Sequence, residues 1–351
     1  MTYILKPKVR HPGLPTNALG LTARDYEGAM STLCAGCGHD SVTAAVIQAV
    51  FELDLPPHRV AKLSGIGCSS KTPTYFLGQA HGFNAVHGRM PAIAAGASAA
   101  NRDLIYLGVS GDGDSLSIGL GHLCHAIRRN VRMLYLIENN GVYGLTKGQF
   151  SASADVGTRS KRGEENRQEP IDPIHLALTL GVSFAARGFS GDKVHLVPIL
   201  KAALQHDGFA LVDVISPCVA FNDHVGSTKS YLHTREHAQL AVLADFIPPA
   251  AEITASVEPG GVRSVTMHDG STIQFRQVPD GYDPTNRESV ENYVRERQRA
   301  GEVAMGLLYV EPGSVEMNEN LGTVDRPLCE LPYEELCPGS ARLEEIQLQY
   351  R

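Results

Sequence analysis

Residues 104–114 read LIYLGVSGDGD, an apolar run that closes on two glycines and two aspartates. Residues 131–141 have the same character in VRMLYLIENNG, where a second apolar run closes on polar residues and a glycine. The segment between them, 114–129, carries apolar residues at helical spacing. A buried strand, a helix and another buried strand in succession predict neighbouring parallel strands joined by a crossover helix.

This alternation extends over most of the chain. The apolar patterns predict strands at 59–63, 104–109, 131–137, 182–185 and 209–215, and helices at 41–51, 114–129, 173–180 and 193–205. We therefore predict an α/β fold with a parallel sheet covered by helices on both faces.

Composition divides the chain into three segments. Residues 1–30 form an N-terminal arm, with scattered prolines and glycines and no periodicity, and 31–245 form the α/β domain. Residues 246–351 are punctuated by prolines and predict a C-terminal extension that contacts a partner subunit. The polar stretch 144–170 has no periodicity, and a loop of that length is usually functional or mobile.

Composition and charge exclude several classes of protein. The 351 residues are 43% hydrophobic and 20% charged, which is typical of a soluble globular protein. A net charge of −7 without a long Lys/Arg run argues against nucleic-acid binding. No apolar run approaches the ~18 residues of a membrane span, and residues 1–10 lack the apolar core of a secretory signal. We expect a cytoplasmic protein.

The loop after the first quoted strand favours a metal ion over a nicotinamide cofactor. A dinucleotide-binding loop would carry a third glycine where Leu116 stands. Asp112 and Asp114 would repel a pyrophosphate unless a divalent cation lay between them. Mg²⁺ is commonly held by one or two carboxylates together with phosphate oxygens. This loop therefore predicts a magnesium–diphosphate site.

The end of the next strand supplies a further ligand. Neighbouring parallel strands end together, so Asn140 can offer a neutral oxygen to the metal bound by Asp112. GDG followed some two dozen residues later by NN resembles the diphosphate motif of thiamine diphosphate enzymes. The alternative is a tight turn with an aspartate as helix cap, followed by an ordinary asparagine turn.

The seven cysteines suggest a metal centre. Cys34 and Cys37 form a CxxC motif just before a predicted helix, and Cys68 and Cys218 each follow a predicted strand end. Four dispersed thiolates can hold a [4Fe–4S] cluster. Structural zinc is the alternative, whereas a thioredoxin-like pair lacks the preceding strand it would need.

Residues 30–235 resemble the β subunit of the 2-oxoacid:ferredoxin oxidoreductases. The motifs that carry the resemblance are CAGCGH at 34–39, GIGCSS at 65–70, HGR at 87–89, GDGD at 111–114, ENNGVYGLTKGQ at 138–149 and SPC at 216–218. The resemblance implies a thiamine diphosphate-binding fold.

The resemblance also implies the ligands of three cofactors. It places a [4Fe–4S] cluster on Cys34, Cys37, Cys68 and Cys218, and Mg²⁺ on Asp112, Asn140 and the carbonyl of Val142. It places thiamine diphosphate against Ile66, Gly67, Cys68, Ser69, His87, Gly113, Asp114, Gly144 and Leu145.

The implied activity is a coenzyme A-dependent oxidative decarboxylation of a 2-oxoacid, with electrons passing through the cluster to ferredoxin. We favour 2-oxoglutarate over pyruvate as the substrate. Because no segment provides the second surface that a thiamine enzyme needs, we expect an α subunit and an α₂β₂ assembly. A non-redox thiamine decarboxylase or carboligase and a zinc-stabilised, non-catalytic binding subunit are the alternatives.

Three side chains are candidates for direct roles in catalysis. Lys71 follows the GIGCSS loop and could pair with a distal substrate carboxylate, and Lys147 could close over the site. His87 is a candidate for cofactor contact. His39 is more simply a helix cap or a neighbour of the cluster. For each lysine the alternative is a solvated surface charge.

Overall fold

The structure is a computed structural model that describes residues 13–160, 162–242, 262–266, 272–276, 282–337 and 339–350. Its centre is an eight-stranded sheet in the order β2-β1-β3-β4-β8-β7-β12-β9. The sheet strands are β1 Val60–Ser64, β2 His81–Asn84, β3 Ile105–Gly111, β4 Met133–Asn139, β7 Phe184–Phe189, β8 Phe209–Ile215, β9 Ala238–Val242 and β12 Val303–Val310. Two hairpins lie outside it, β5 Val142–Tyr143 with β6 Gln149–Phe150, and β10 Val262–Thr266 with β11 Thr272–Arg276.

The described helices are α1 Gly38–Glu52, α2 Met90–Ala100, α3 Leu120–Arg128, α4 Pro173–Thr179, α5 Lys193–Gln205, α6 Tyr231–His237, α7 Arg287–Arg299, α8 Met317–Leu321, α9 Tyr333–Leu336 and α10 Ser340–Leu348. Within the described ranges, none is long and apolar enough to cross a bilayer. The arm residues 1–12 lie outside the described residues, but Tyr26 of the arm is fully buried.

The sheet has a hydrophobic core on each face, as predicted. Along β3, Tyr106 and Leu107 point into different cores, as the alternation of a strand requires. Helices α1 and α5 cover one face, and α2, α3, α4 and α7 cover the other. The six neighbouring strands of the sheet in the order β2-β1-β3-β4-β8-β7 are all parallel. They are buried on both sides, except for the exposed edge strand β2. This arrangement confirms the predicted fold class.

The helix predicted at 114–129 is interrupted. Residues Gly113–Ile118 form a π-helical turn, in which the Gly119 N–H bonds to the Asp114 carbonyl at 2.8 Å, and α3 starts after Gly119. A Cβ on Gly119 would lie 2.7 Å from the Gly88 Cα. The interruption therefore lets the HGR loop approach the GDGD loop at backbone distance, a constraint that helical periodicity does not reveal.

The predicted boundary at residue 245 does not separate two units. Strand β12 pairs antiparallel with β7, and Val290 and Val294 of α7 are completely buried in the core that α2 and α3 share. Residues 282–322 therefore complete the α/β domain rather than forming an appendage. Pairing between strands more than a hundred residues apart in sequence is a long-range contact that local patterns do not encode. The predicted contact of the extension with a partner stays a prediction.

Candidate functional site

A cleft opens where β3 and β4 end. Gly111 pairs with Glu138 at the carboxyl ends of these two strands, the position where open α/β sheets bind their ligands. The cleft encloses about 490 Å³, part of it open to solvent. Its lining includes every residue for which the resemblance implied contact with thiamine diphosphate, and also Asp112, Asn140 and Val142. Lys71 and Lys147 are not among the lining residues.

Asp112 is held rigidly at the floor of the cleft. Its carboxylate accepts hydrogen bonds from the Ser151 hydroxyl, from Ser153 Oγ at 2.6 Å and from the Gly141 N–H at 3.0 Å. Its other oxygen lies 3.4 Å from the Asn140 backbone nitrogen. Burial raises the pKa of Asp112, and these hydrogen bonds oppose that shift. The structure therefore brings Asp112 and Asn140 together.

The two serines that position Asp112 were missed by the sequence reasoning. Ser151 and Ser153 are buried and lie just beyond the β5–β6 hairpin, at the start of what was predicted as an irregular loop. Their alternation in SAS at 151–153, one residue beyond the resemblance motif, was the available signal. Their role depends on the hairpin folding back over β3, which no local pattern indicated.

At the edge of the cleft, Asp114 of the GDGD loop contacts the HGR loop and the GIGCSS loop. One carboxylate oxygen accepts from the Gly88 N–H at 2.9 Å and lies 3.5 Å from the Ile66 nitrogen, and the other accepts from Ser110 Oγ at 2.8 Å. A Cβ on Gly65 would lie 1.9 Å from the Asp114 carboxylate. Asp114 therefore fixes the walls of the cleft in addition to lining it.

The β5–β6 hairpin packs against the GDGD loop at the cleft. The Tyr143 hydroxyl donates to the Gly113 carbonyl at 3.0 Å. A Cβ on Gly113 would lie 2.5 Å from the Tyr143 ring, so only glycine fits beneath it. On the other side, Asn222 Nδ2 donates to the Asn140 carbonyl at 2.8 Å. Tyr143 and Asn222 were also missed, because each acts through a long-range contact.

Two of the four cysteines of the predicted cluster, Cys68 and Cys218, lie beside this cleft. A Cβ on Gly144 would lie 3.6 Å from the sulfurs of both Cys68 and Cys218. Burial raises the pKa of Cys37 to about 12, and the charge of Cys218 adds to that effect. The charge of Cys34 raises the pKa values of Cys68 and Cys218, beyond the effect of burial. These charge effects indicate that Cys34 and Cys37 both lie near Cys218.

The spacing of these thiols bears on the kind of metal they could hold. A zinc ion binds its thiolate ligands at about 2.3 Å, which gathers them tightly around one point. Within the described part of the chain, no three His, Cys, Asp or Glu side chains form a group placed for a single ion. In the described residues, these thiols therefore do not form a preformed single-ion site.

The two lysines and His87 occupy different environments. Lys71 is half-buried, and its charge lowers the pKa of Cys68, although burial outweighs this effect. Lys147 is exposed and adopts φ +76° in the β5–β6 hairpin. His87 lines the cleft but is exposed at its rim.

A buried carboxyl and a buried imidazole lie side by side beneath the cleft. Glu138 Oε2 lies 3.5 Å from His39 Nδ1, and among the residues that the structure describes neither carboxyl oxygen has a hydrogen-bond partner. Burial raises the pKa of Glu138 well above its ordinary value and lowers that of His39 to about 4. Sequence reasoning missed Glu138, because it reads as the last residue of an apolar strand.

A polar network connects the floor of the cleft to the middle of the sheet. Ser153 Oγ is 2.8 Å from Asn139 Oδ1, and Asn139 Nδ2 donates to Asp213 at 3.0 Å. Arg187 donates to Asp213 at 2.7 Å and to Asp172 at 2.8 Å. Although burial raises the pKa of Asp172, Arg187 holds it below its ordinary value.

Comparison with known proteins agrees with this geometry. Residues 65–214 match the family model described as the thiamine pyrophosphate enzyme, C-terminal TPP binding domain. The matched range contains both strands that frame the cleft and the GIGCSS and GDGD loops. The fold and the cleft thus define a thiamine diphosphate-binding domain.

Relatives that match about three fifths of the chain define the family more narrowly. The chain is 42% identical over 205 residues to the 2-oxoacid:ferredoxin oxidoreductase subunit beta of Saccharolobus solfataricus, and 41% identical over 216 residues to that of a Sulfolobus species. It is 39% identical over 216 residues to the 2-oxoglutarate oxidoreductase subunit KorB of Mycobacterium tuberculosis. These matches cover 58%, 61% and 61% of this chain, and 65%, 70% and 57% of the relatives. The chain belongs to the β subunits of the 2-oxoacid:ferredoxin oxidoreductases.

A solved structure is similar over nearly the whole chain. It is the 2-oxoglutarate:ferredoxin oxidoreductase from Magnetococcus marinus with 2-oxoglutarate, coenzyme A and succinyl-CoA bound. The TM-score is 0.72 at 27% identity, and the alignment covers 93% of this chain and 96% of that chain. The likeness therefore includes the C-terminal region that completes the sheet here.

Proposed function

We propose that this chain is the β subunit of a coenzyme A-dependent 2-oxoacid:ferredoxin oxidoreductase that carries thiamine diphosphate, Mg²⁺ and a [4Fe–4S] cluster. One observation carries the proposal. A cleft with a carboxylate and an amide at its floor lies directly beside the thiols of Cys68 and Cys218. Gly144 takes part in both features, because it lines the cleft and lies against the sulfurs of Cys68 and Cys218.

The residues of the cleft fit the proposed ligands. Asp112, Asn140 and the Val142 carbonyl offer the oxygen ligands that Mg²⁺ prefers. Gly67, with φ +146°, allows the backbone to approach a bound diphosphate closely. Cys34, Cys37, Cys68 and Cys218 would hold the cluster. When bound, thiamine diphosphate would supply the decarboxylation chemistry and the cluster would supply one-electron transfer.

The chain itself contributes placement and exclusion of water. Ser151 and Ser153 keep the Asp112 carboxylate aimed at the metal position, and Tyr143 holds the β5–β6 hairpin over the GDGD loop. Both contacts are made by buried or partly buried groups, so they are stronger than they would be in water. Asp114 keeps the HGR and GIGCSS loops at a constant separation.

We propose an α subunit as the obligate partner, in an α₂β₂ assembly. Leu145, which lines the cleft, is 45% exposed, and Val86, next to the cleft-lining His87, is 70% exposed. Clustered exposed apolar groups near a site are typical of a surface that another chain covers. Ferredoxin is the proposed electron acceptor, and the relatives' names include it.

We propose 2-oxoglutarate as the substrate, with succinyl-CoA and CO₂ as products. The solved relative was captured with 2-oxoglutarate, coenzyme A and succinyl-CoA, and the mycobacterial relative is named for 2-oxoglutarate. Lys71 and Lys147 are the proposed contacts for the distal carboxylate, and His87 is a proposed cofactor contact. Lys71 stands two residues after the cleft-lining Ser69, and Lys147 directly follows the cleft-lining Thr146.

The Lys71→Ile variant tests the substrate assignment. We expect kcat/KM on 2-oxoglutarate to fall roughly 30-fold or more relative to pyruvate, because losing one partner of a desolvated charge pair costs about 2–5 kcal/mol. Viologen reduction with coenzyme A and each 2-oxoacid measures the ratio. Lys193→Ile, at an exposed site in α5, serves as the control. An unchanged ratio in Lys71→Ile would refute its role, and Lys147→Ile then tests the other lysine.

The Cys218→Ser variant tests the cluster. In anaerobic preparations of the enzyme with its partner, we expect visible absorption that bleaches with dithionite. Cys218→Ser should lose most of that absorption and its iron, because a thiolate ligand is missing. Cys124→Ser, in α3, should retain both. Colourless wild-type protein that contains zinc would overturn the cluster, and coloured protein without coenzyme A-dependent viologen reduction would overturn the activity.

A further inference from the structure

His39 lies between the two proposed cofactor sites. It is 1% exposed and stands two residues after Cys37, near the start of α1. Its Nε2 atom is 3.4 Å from the side-chain nitrogen of Asn140, and its Nδ1 atom is 2.6 Å from Ser216 Oγ. One imidazole thus contacts a proposed magnesium ligand on one side and the loop that leads to Cys218 on the other.

The hydrogen bonds around His39 determine which of its two ring nitrogens carries the proton and donates. Asn140 Oδ1 accepts from the Val142 N–H at 3.0 Å, so the amide NH₂ is the end that faces the imidazole. Nε2 must then accept, and Nδ1 carries the ring proton and donates to Ser216. The Glu138 carboxyl, 3.5 Å from Nδ1, favours the same tautomer.

The cluster side of this link is packed tightly. The Gly38 N–H donates to the Pro217 carbonyl at 3.3 Å, and a Cβ on Gly38 would lie 2.6 Å from Ser216 Oγ. The loops that carry Cys37 and Cys218 therefore contact each other directly at Gly38 and at the neighbouring His39. A shift of the imidazole is transmitted to both loops, because close-packed interiors leave no room for independent movement.

We propose that His39 is a positioning residue that couples occupancy of the magnesium–diphosphate site to the geometry of the cluster site. This inference rests on the proposed function, since it requires both cofactors. On the cleft side, His39 fixes the Asn140 amide with its oxygen available to a metal. On the cluster side, it holds the segment 216–218 in place through Ser216. Neither contact involves substrate, so the role is distinct from catalysis.

The experiment compares His39→Leu with His39→Gln in the complete enzyme. Glutamine can accept from Asn140 and donate to Ser216, whereas leucine can do neither. In wild type and His39→Gln, adding Mg²⁺ and thiamine diphosphate should change the electron paramagnetic resonance spectrum of the reduced cluster. In His39→Leu we expect that change to disappear and the Mg²⁺ concentration for half-saturation to rise about 10–100-fold, as for other outer-shell partners.

Two further variants keep the result interpretable. His206→Leu removes another partly buried imidazole, bonded to Ser183 at 2.8 Å and not among the cleft-lining residues, and should retain the wild-type response. Ser216→Ala breaks only the cluster side, so the spectral change should shrink while Mg²⁺ affinity stays near wild type. If His39→Leu fails to fold, the size of the spectral change in Ser216→Ala tests the proposed coupling.

Two results would overturn the coupling. The first is a wild-type enzyme in which the spectrum of the reduced cluster does not change when Mg²⁺ and thiamine diphosphate are added. The second is a His39→Leu or Ser216→Ala enzyme that shows the same spectral change as wild type. A wild-type enzyme without iron, or one that binds no thiamine diphosphate, would instead contradict the proposed function.

Discussion

Replacing Asp112 with asparagine should abolish magnesium-dependent binding of thiamine diphosphate. The carboxylate is buried and bonded by two serine hydroxyls and a backbone N–H, and asparagine at this position would replace the charged oxygens with a neutral amide. Outer-shell partners of metal ligands typically contribute roughly 10–100-fold in affinity. Removing the ligand itself should exceed that range, and the enzyme should lose coenzyme A-dependent viologen reduction at ordinary Mg²⁺ concentrations.

Equilibrium dialysis against labelled thiamine diphosphate, at several Mg²⁺ concentrations, measures this effect. Asp103→Asn is the matched control, because it makes the same change at the exposed opposite end of the same strand. Ser153→Ala should fall between the two, since it removes one support of Asp112 and leaves the carboxylate. Retained Mg²⁺-dependent binding in Asp112→Asn would contradict the proposed magnesium site.

Replacing Arg187 with methionine should destabilise the domain by about 3–5 kcal/mol, the usual cost of removing one partner of a buried ion pair. Arg187 bonds to Asp213 and Asp172 inside the sheet, and Asp213 is 1% exposed. Without the guanidinium, the Asp213 carboxylate stays buried with Asn139 as its remaining partner. Because Asn139 also contacts Ser153, we expect the effect to reach the floor of the cleft.

Urea-unfolding midpoints of the assembled enzyme provide the measurement. The control is Arg132→Met, because Arg132 pairs with Asp207 at 3.2 Å on the surface, where both side chains are about half exposed. That change should cost ~1 kcal/mol or less. Adding Asp213→Asn to Arg187→Met should restore part of the loss, since it removes the unpaired charge. A cost for Arg187→Met no larger than that for Arg132→Met would show that the buried pairs are not stabilising.

The cofactor cleft was predictable because its parts are encoded locally. An apolar run of strand length that ends in GDGD predicts a loop at the end of a buried strand, and a second run that ends in ENNG predicts its neighbour. Parallel pairing then brings Asp112 and Asn140 together without further information. The structure has helix α5 and strand β8 with the bounds that apolar spacing predicted.

The network that supports the cleft was not predictable in this way. Ser153 contacts an aspartate 41 residues away, and Arg187 contacts one 26 residues away. Serine and arginine at such positions read as ordinary polar residues. The residues of strand β12 likewise fall within the predicted C-terminal extension, because the place of this strand beside β7 depends on packing between distant segments.

The sequence by itself determined the fold class, the two strand ends that form the cleft, and the four cysteines of the proposed cluster. Each follows from short-range periodicity, from glycine turns, or from motifs of a few residues. Only the tertiary structure decided that His39 joins Ser216, 177 residues away, to Asn140, 101 residues away. The physical reason is that such contacts form when the chain packs, and their energy lies in burial and complementary geometry rather than in any local preference of the backbone.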